Sequence, residues 1–350
     1  MNYFSHKKLK EFCIDTLVHE GIAEPIAEDV ASCLIETSLR GVDSHGIRLL
    51  PHYIRVVRSG RINKNPNIKF NQNSKTNGVL DADNTFGHAA ASIAVKEAIK
   101  MSEEFGSGFV VVKNSTHNSA NAYYGLQAAR KDMIGISATH STSMMVSTRG
   151  KKPFFGTNAL TFAFPCKDEE PICLDMATTQ LAWNKVLRAK AKGEILDAPW
   201  AIDGHGEVTD NPELAQGLVP AGLHKGYGLA MVVEVLCALL AGGPYGPHLT
   251  PMFEKLSEKR RISHFVGAIN ISNFIDINIF KESLNNMISE LRNSDSIDPN
   301  LPVLVAGDPE KISEKIRTKE GIPLDEEVIS DFNSTITEHS LMQQFKSCFI

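Results

Sequence analysis

Residues 108–125 read GFVVVKNSTHNSANAYYG, and the rest of the chain is organised around this stretch. Phe109 to Val112 is an apolar, β-branched run of strand length. Lys113-Asn114-Ser115-Thr116 reads as a polar loop that ends the strand, and Ser119 as the cap of a helix through Tyr123, Leu126 and Ala129. His117 therefore falls on a loop between a buried strand and a helix N-terminus, held by rigid elements and open to a cleft. An unperturbed imidazole titrates near pH ~6.5 and exchanges protons at neutral pH. On this stretch alone, a loop histidine bonded to its neighbours is the simpler reading.

Upstream, the pattern is helical. Leu9, Phe12, Leu17 and Val18 follow a helical period from Ser5 to Gly21, and Ile26, Val30, Leu34 and Ile35 share a face between Glu24 and Leu39. Asp43-Ser44-His45-Gly46 leads into a third helix over Ile47 to Ser59, with Pro51 tolerated in its first turns. Asn63-Lys64-Asn65-Pro66-Asn67 marks a boundary. Beyond it, strands at Gly78–Asp81, Met133–Thr139 and Phe265–Ile271 alternate with helices at His88–Glu104 and Asp276–Arg292. Leu160–Phe164 and Ile172–Asp175 read as a hairpin, Thr178–Ala191 as a helix, and Leu229–Ala241 as the core of a buried apolar helix. Val303–Val305 reads as a short strand, and helices at Glu310–Lys319 and Asp325–Thr335 finish the chain. This is a mixed α/β (α+β) pattern. No Gly-x-Gly pair has the third glycine of GxGxxG, and no P-loop is present, which disfavours a doubly wound dinucleotide fold.

The composition narrows the function. With 350 residues, 42% hydrophobic and 22% charged, the chain is ordinary for a globular protein. Its net charge of −5 and lack of a basic stripe argue against nucleic acid. No signal peptide opens it, and Glu234 interrupts its longest apolar run short of a membrane span. The six scattered cysteines form no CxxC pair, so they read as reduced thiols of a cytoplasmic protein without a metal site.

Three clusters are candidates to join His117. Ser44, His45 and Arg48, with His52, suit a carboxylate at a helix N-terminus, although a capping serine with solvated basic residues fits equally well. Gly156-Thr157-Asn158 with Asp175-Met176-Ala177-Thr178-Thr179 suits phosphate or ribose; two capping threonines explain it more simply. Lys225, between Gly222 and Gly226-Tyr227-Gly228, opens the apolar helix, which favours a ligand contact over a loop that merely needs glycine. Glu234 reads as a structural carboxylate needing a partner.

Taken together and in order, Arg40-Gly41-Val42-Asp43-Ser44-His45-Gly46, Lys113-Asn114-Ser115-Thr116-His117, Gly156-Thr157-Asn158, Leu174-Asp175-Met176-Ala177-Thr178 and Lys225-Gly226-Tyr227-Gly228 resemble the non-Rossmann malate/L-lactate dehydrogenase family. Trp183-Asn184-Lys185-Val186-Leu187 and the Pro244-Tyr245-Gly246 region look nearest to its ureidoglycolate dehydrogenases. The resemblance implies a helical domain (residues 1–67 plus 310–350) packed on a cofactor and catalytic domain (68–309) with a largely antiparallel sheet. It implies a homodimer or higher homo-oligomer binding NAD, or alternatively NADP. It makes His117 the proton donor and acceptor, with Ser44, His45 and Arg48 facing a small 2-hydroxy or 2-oxo acid. Ser141, Asp175, Met176, Ala177, Lys225, Gly307, Asp308 and Pro309 would contact the dinucleotide. Reduction of cyclic imino acids, or cofactor binding without turnover, are the alternatives. The family's SHGxxR pattern is altered here: arginine stands at 48 and Leu49 in its slot, an offset worth ~100° about a helix axis. After His117, Asn118-Ser119 replaces the usual Phe-Gly or Ser-Gly.

Overall fold

The computed structural model describes residues 2–350. The chain begins with β1 (Asn2–Phe4), α1 (His6–His19) and α2 (Glu24–Leu39), then tight 3-10 turns at Asp43–His45 and Ile47–Leu49, then α3 (Leu50–Arg58). Next come β2 (Lys69–Gln72), β3 (Asn77–Asp81), α4 (Gly87–Phe105), β4 (Ser107–Ser115), α5 (Ala122–Ala129) and β5 (Met133–Thr139). Short β6 (Met145–Val146) and β7 (Pro153–Phe155) precede β8 (Ala159–Phe164), β9 (Ile172–Met176) and α6 (Trp183–Lys192). Then follow β10 (Ala201–Ile202), β11 (Val208–Thr209), β12 (Gly217–Leu218), α7 (His224–Glu234), β13 (Ile262–Asn270) and α8 (Ile277–Arg292). The chain closes with α9 (Asp308–Glu320), β14 (Ile322–Leu324), α10 (Glu326–Thr335) and α11 (His339–Ser347).

The central sheet has seven strands in the order β2-β3-β4-β13-β5-β8-β9. Only β3 and β4 pair in parallel, with α4 as their crossover. Every other pairing is antiparallel, so the sheet is not doubly wound. β13 enters between β4 and β5, its Val266 opposite Val110 on one side and Ser137 on the other. Helices α4 and α5 cover one face, where Val95, Val110, Tyr124 and Val266 are buried together. A second sheet, β11-β10-β12-β6-β7, stands beside the first.

The two ends of the chain share one core. Phe12 of α1, Phe332 of α10 and Phe345 of α11 pack together with ring centroids 4.7–5.9 Å apart, Phe332 stacked on Phe345. β1 pairs antiparallel with β14. Leu34, Leu50 and Ile54 complete the same apolar cluster, as their spacing requires.

Several local expectations need correction. β4 runs on through Lys113 to Ser115, because β3 pairs with Lys113 through Asp81 and β13 with Ser115 through Ile262. Flanking strands satisfy a polar backbone as well as an apolar one. Ser119 does not cap α5; Asn121 holds that position, and the Ser119 hydroxyl donates to the His45 carbonyl. α6 starts at Trp183 rather than Thr178, because the Thr178 and Gln180 amides are spent on the Thr157 and Val219 carbonyls. Val303–Val305 is a loop whose Val305 amide binds the Asp308 carboxylate. A further helix, α11, follows the two expected at the end.

The apolar helix is only half buried. Leu229, Met231, Val232, Val235, Leu239 and Leu240 are all exposed, Leu240 at 56%. Its final turn, Val235–Leu239, is a π-helix. Its other face packs Val233 and Cys237 against Ala138 of the sheet. All six cysteines are free and buried. Among the described residues no helix is long and apolar enough to cross a membrane.

Candidate active site

Just past the end of β4, His117 opens into a cleft of about 100 Å³. Ser44, His45 and Leu49 form one wall, Ser141 and Thr157 another, and Trp183, Phe253 and Arg260 close it. The structure thus unites Ser44, His45, His117 and Ser141 from three separate stretches of sequence.

The imidazole is tightly placed. Its Nδ1 lies 2.8 Å from the Tyr53 hydroxyl, and the Ser119 amide points at the same atom from 3.4 Å. Nε2 is the nitrogen left for the cleft. The His45 ring stacks on His117 at 5.5 Å and is itself fixed by Ser44 Oγ, 2.8 Å from its Nδ1. Burial, together with the neighbouring His45, His88 and Arg260, holds the His117 pKa well below the usual imidazole range. The ring is therefore neutral at neutral pH, the state of a waiting base. Tyr53 is buried, and burial raises its pKa, so it remains a phenol. It rests edge-on against His88 at 5.0 Å.

Arg260 is the cationic group of the cleft, and sequence reasoning missed it. It precedes β13, is 3% exposed, and donates from Nε to the Thr250 carbonyl at 3.0 Å. Burial and the Arg61 charge draw its pKa down to about 9, which leaves it charged at neutral pH. The available signal was Lys259-Arg260-Arg261 at the head of an apolar strand, a costly place for a cation without a partner. Arg48, by contrast, is not brought to His117. In the 3-10 turn Ile47 and Leu49 are buried, Leu49 lines the cleft, and Arg48 lines a separate cavity with Arg188 and Arg317. Expected to face the substrate, Arg48 thus lies outside the cleft of His117.

Behind the cleft lies a buried network. Glu234 accepts from Asn158 Nδ2 at 2.6 Å and from the Gly246 amide at 2.7 Å, and lies 3.2 Å from His140 Nδ1. Burial alone would raise its pKa, but these bonds outweigh it and keep the carboxyl below its usual value. Asn158 Oδ1 in turn accepts from the Ser141 amide at 3.1 Å. A Cβ at Gly156 would strike Ser141 Oγ and its carbonyl, so glycine permits this close approach. Likewise, a Cβ on Gly226 would strike the Thr178 carbonyl, so the head of α7 packs directly on that strand end.

A second cavity is lined by Asp175, Gly307 and Pro309, with Arg40, Ala122 and Glu310 around them. The Asp175 carboxylate accepts from the Ala122 amide at 2.9 Å and the Thr161 hydroxyl at 2.7 Å. Gly307 has φ +93°, and a Cβ there would sit 3.1 Å from the Cys173 amide nitrogen. Asp308 turns away. Its carboxylate is bound by Arg292, with the shorter contact 2.6 Å, and it lines a different cavity from Gly307 and Pro309, with which it was expected to contact the dinucleotide. Met176, Ala177 and Lys225 line neither the cleft nor the second cavity. Lys225 is exposed in the first turn of α7, beside Gly226.

Comparison with known proteins gives the family. The sequence profile described as malate/L-lactate dehydrogenase matches residues 4–333. The malate dehydrogenase of Pyrococcus abyssi is 35% identical over 336 residues, spanning 93% of this chain and 92% of that protein. The NAD(+) ureidoglycolate dehydrogenase of Escherichia coli (strain K12) is 31% identical, with 93% of each covered. The crystal structure of malate dehydrogenase from Entamoeba histolytica superposes with a TM-score of 0.90 at 32% identity, covering 95% of this chain and 96% of that one. The chain therefore belongs to the malate/L-lactate dehydrogenase family.

Proposed function

We propose that this enzyme interconverts a small 2-hydroxy acid and its 2-oxo acid, with His117 as acid/base and Arg260 as the carboxylate grip. One observation carries the reading: a neutral imidazole and a buried guanidinium line the same cleft. A bound nicotinamide dinucleotide supplies the hydride acceptor or donor. The chain's part is to bind the acid, hold it and move one proton. In the tautomer where Nδ1–H donates to Tyr53 at 2.8 Å and the long 3.4 Å Ser119 contact is given up, the Nε2 lone pair faces the cleft, where it takes the hydroxyl proton during oxidation. During reduction the same nitrogen returns it. Arg260 replaces Arg48 as carboxylate partner through a paired, charge-assisted contact.

The residues present suit a dinucleotide. The Ser141 and Thr157 hydroxyls line the cleft, while Asp175 and the left-handed Gly307 turn line the second cavity. The segment Arg40–His45 runs past both. Asp175 and Glu310 support NAD over NADP, since carboxylates accept from a ribose diol and repel a 2′-phosphate. In this reading Met176, Ala177 and Lys225 act from the rim. The core shared by both chain ends supports the division into residues 1–67 plus 310–350 and residues 68–309. Six free buried cysteines fit a reducing cytoplasm.

The exposed face of α7 supports a homodimer, because a contiguous apolar patch is costly in water. Val232→Glu is expected to shift the protein toward monomer in sedimentation velocity. A wild-type monomer would contradict the assignment.

The function itself is tested by a panel of ureidoglycolate, malate and lactate with NAD, and cyclic imines with NADH, followed at the NADH absorbance. Turnover of a hydroxy acid is expected; turnover of imines alone would overturn the reading. Arg260→Gln is expected to raise KM by roughly 10–100-fold, the worth of a charged hydrogen bond of ~1.5–3 kcal/mol. An unchanged KM would remove Arg260 from the substrate.

A further inference from the structure

We propose that the cavity holding Arg48 is an anion site for inorganic phosphate or a phosphate ester, coupled to the cleft through shared walls. It is an open pocket of about 110 Å³ lined by three arginines, half-buried Arg48 and Arg317 and exposed Arg188, with Asp43 and Asp325 as the only carboxylates.

Two of the five charges are already matched to each other. Arg317 forms a two-pronged pair with Asp43, one contact 3.0 Å, and also donates to the Ser38 carbonyl at 2.7 Å. Asp325 caps α10 by accepting from the Val328 amide at 2.9 Å. Neither Arg48 nor Arg188 has a hydrogen-bond or ion-pair acceptor among the described residues. Two guanidiniums thus share a cavity with one carboxylate that is engaged elsewhere. Guanidinium forks match the oxygens of phosphate, and a dianion between them removes their mutual repulsion. The cause is local: in the 3-10 turn successive side chains point about 120° apart, so Leu49 faces the cleft while Arg48, with Ile47, lines the other cavity.

The walls explain the coupling. α6 gives Trp183 and Asn184 to the cleft and, about one turn later, Arg188 to the anion cavity. Residues 43–49 do the same, with Ser44, His45 and Leu49 on the cleft and Asp43 and Arg48 on the cavity. An anion clamped between Arg48 and Arg188 ties α6 to this segment and so holds the cleft in shape. By reciprocity, filling the cleft strengthens the anion's grip.

The test is calorimetric titration of the purified protein with inorganic phosphate and, separately, glycerol phosphate, in a low-salt zwitterionic buffer. Saturable binding of one phosphate per chain is expected. Arg188→Gln should weaken it by about tenfold or more, and Lys100→Gln, a charge removed from the exposed side of α4, should not. Binding of the free ion alone, or of both compounds, identifies which source the cavity accepts. No saturable binding by the wild type, or equal binding by Arg188→Gln, overturns the site. Phosphate should also lower KM for the hydroxy acid in the wild type and leave it unmoved in Arg188→Gln; an unmoved wild-type KM overturns the coupling. The calorimetry stands apart from turnover, so failure of the proposed reaction does not imitate failure of the anion site.

Discussion

His117→Ala is expected to lower kcat by roughly 10²–10⁴, the usual contribution of a positioned acid/base, while NADH still binds. Added imidazole should restore part of the lost rate by occupying the vacated space. The pH dependence has a definite sign. Because the His117 pKa lies below the usual ~6.5, kcat/KM for oxidation should already be level at neutral pH and fall only in acid, as the base becomes protonated. Reduction needs the protonated ring and should gain as pH falls. Tyr53→Phe keeps the ring in place but removes the partner of Nδ1, so it should cost less than the alanine change. An alanine variant as fast as the wild type would end the assignment.

The protein should unfold steeply in mild acid. His52, His88 and His264 are buried, and burial lowers each of their pKa values to about 3. Their unfolded pKa is ~6.5, so between these limits the unfolded chain binds more protons. A depressed folded pKa gives stability that is present above pH ~6.5 and lost as pH falls toward 3. Three such protons correspond to a slope of about 4 kcal/mol per pH unit, against a total stability of ~5–15 kcal/mol. Urea midpoints measured from neutral pH downward should therefore collapse within a few units. His88 offers the control: neither of its nitrogens has a partner, so His88→Phe should hold or raise stability at neutral pH and flatten the acid slope by one proton. An unchanged slope in that variant would show that His88 does not drive the transition.

The parts of the fold carried by local pattern were legible in the sequence. The β4 run Phe109–Val112, the β8–β9 hairpin and the three N-terminal helices follow hydrophobic period and turn chemistry, and each formed near its expected place. The insertion of β13 between β4 and β5 was not legible, since nothing local in Ile262–Asn270 names partners more than a hundred residues away. The site divides in the same way. Ser44, His45 and His117 sit in loops whose polarity marks them. Tyr53 is hidden inside an amphipathic helix, and Arg260 owes its role to the fold that buries it. The apolar run of α7 was misread because a continuous apolar stretch does not distinguish a buried core from an exposed apolar face.

The most direct measurement is the fate of deuterium placed on C2 of the turned-over hydroxy acid. With NAD and the wild-type enzyme, the label is expected on C4 of the reduced nicotinamide, and oxidation should slow by a primary isotope effect. Label released into water, with none on the nicotinamide, would contradict a hydride transfer served by His117.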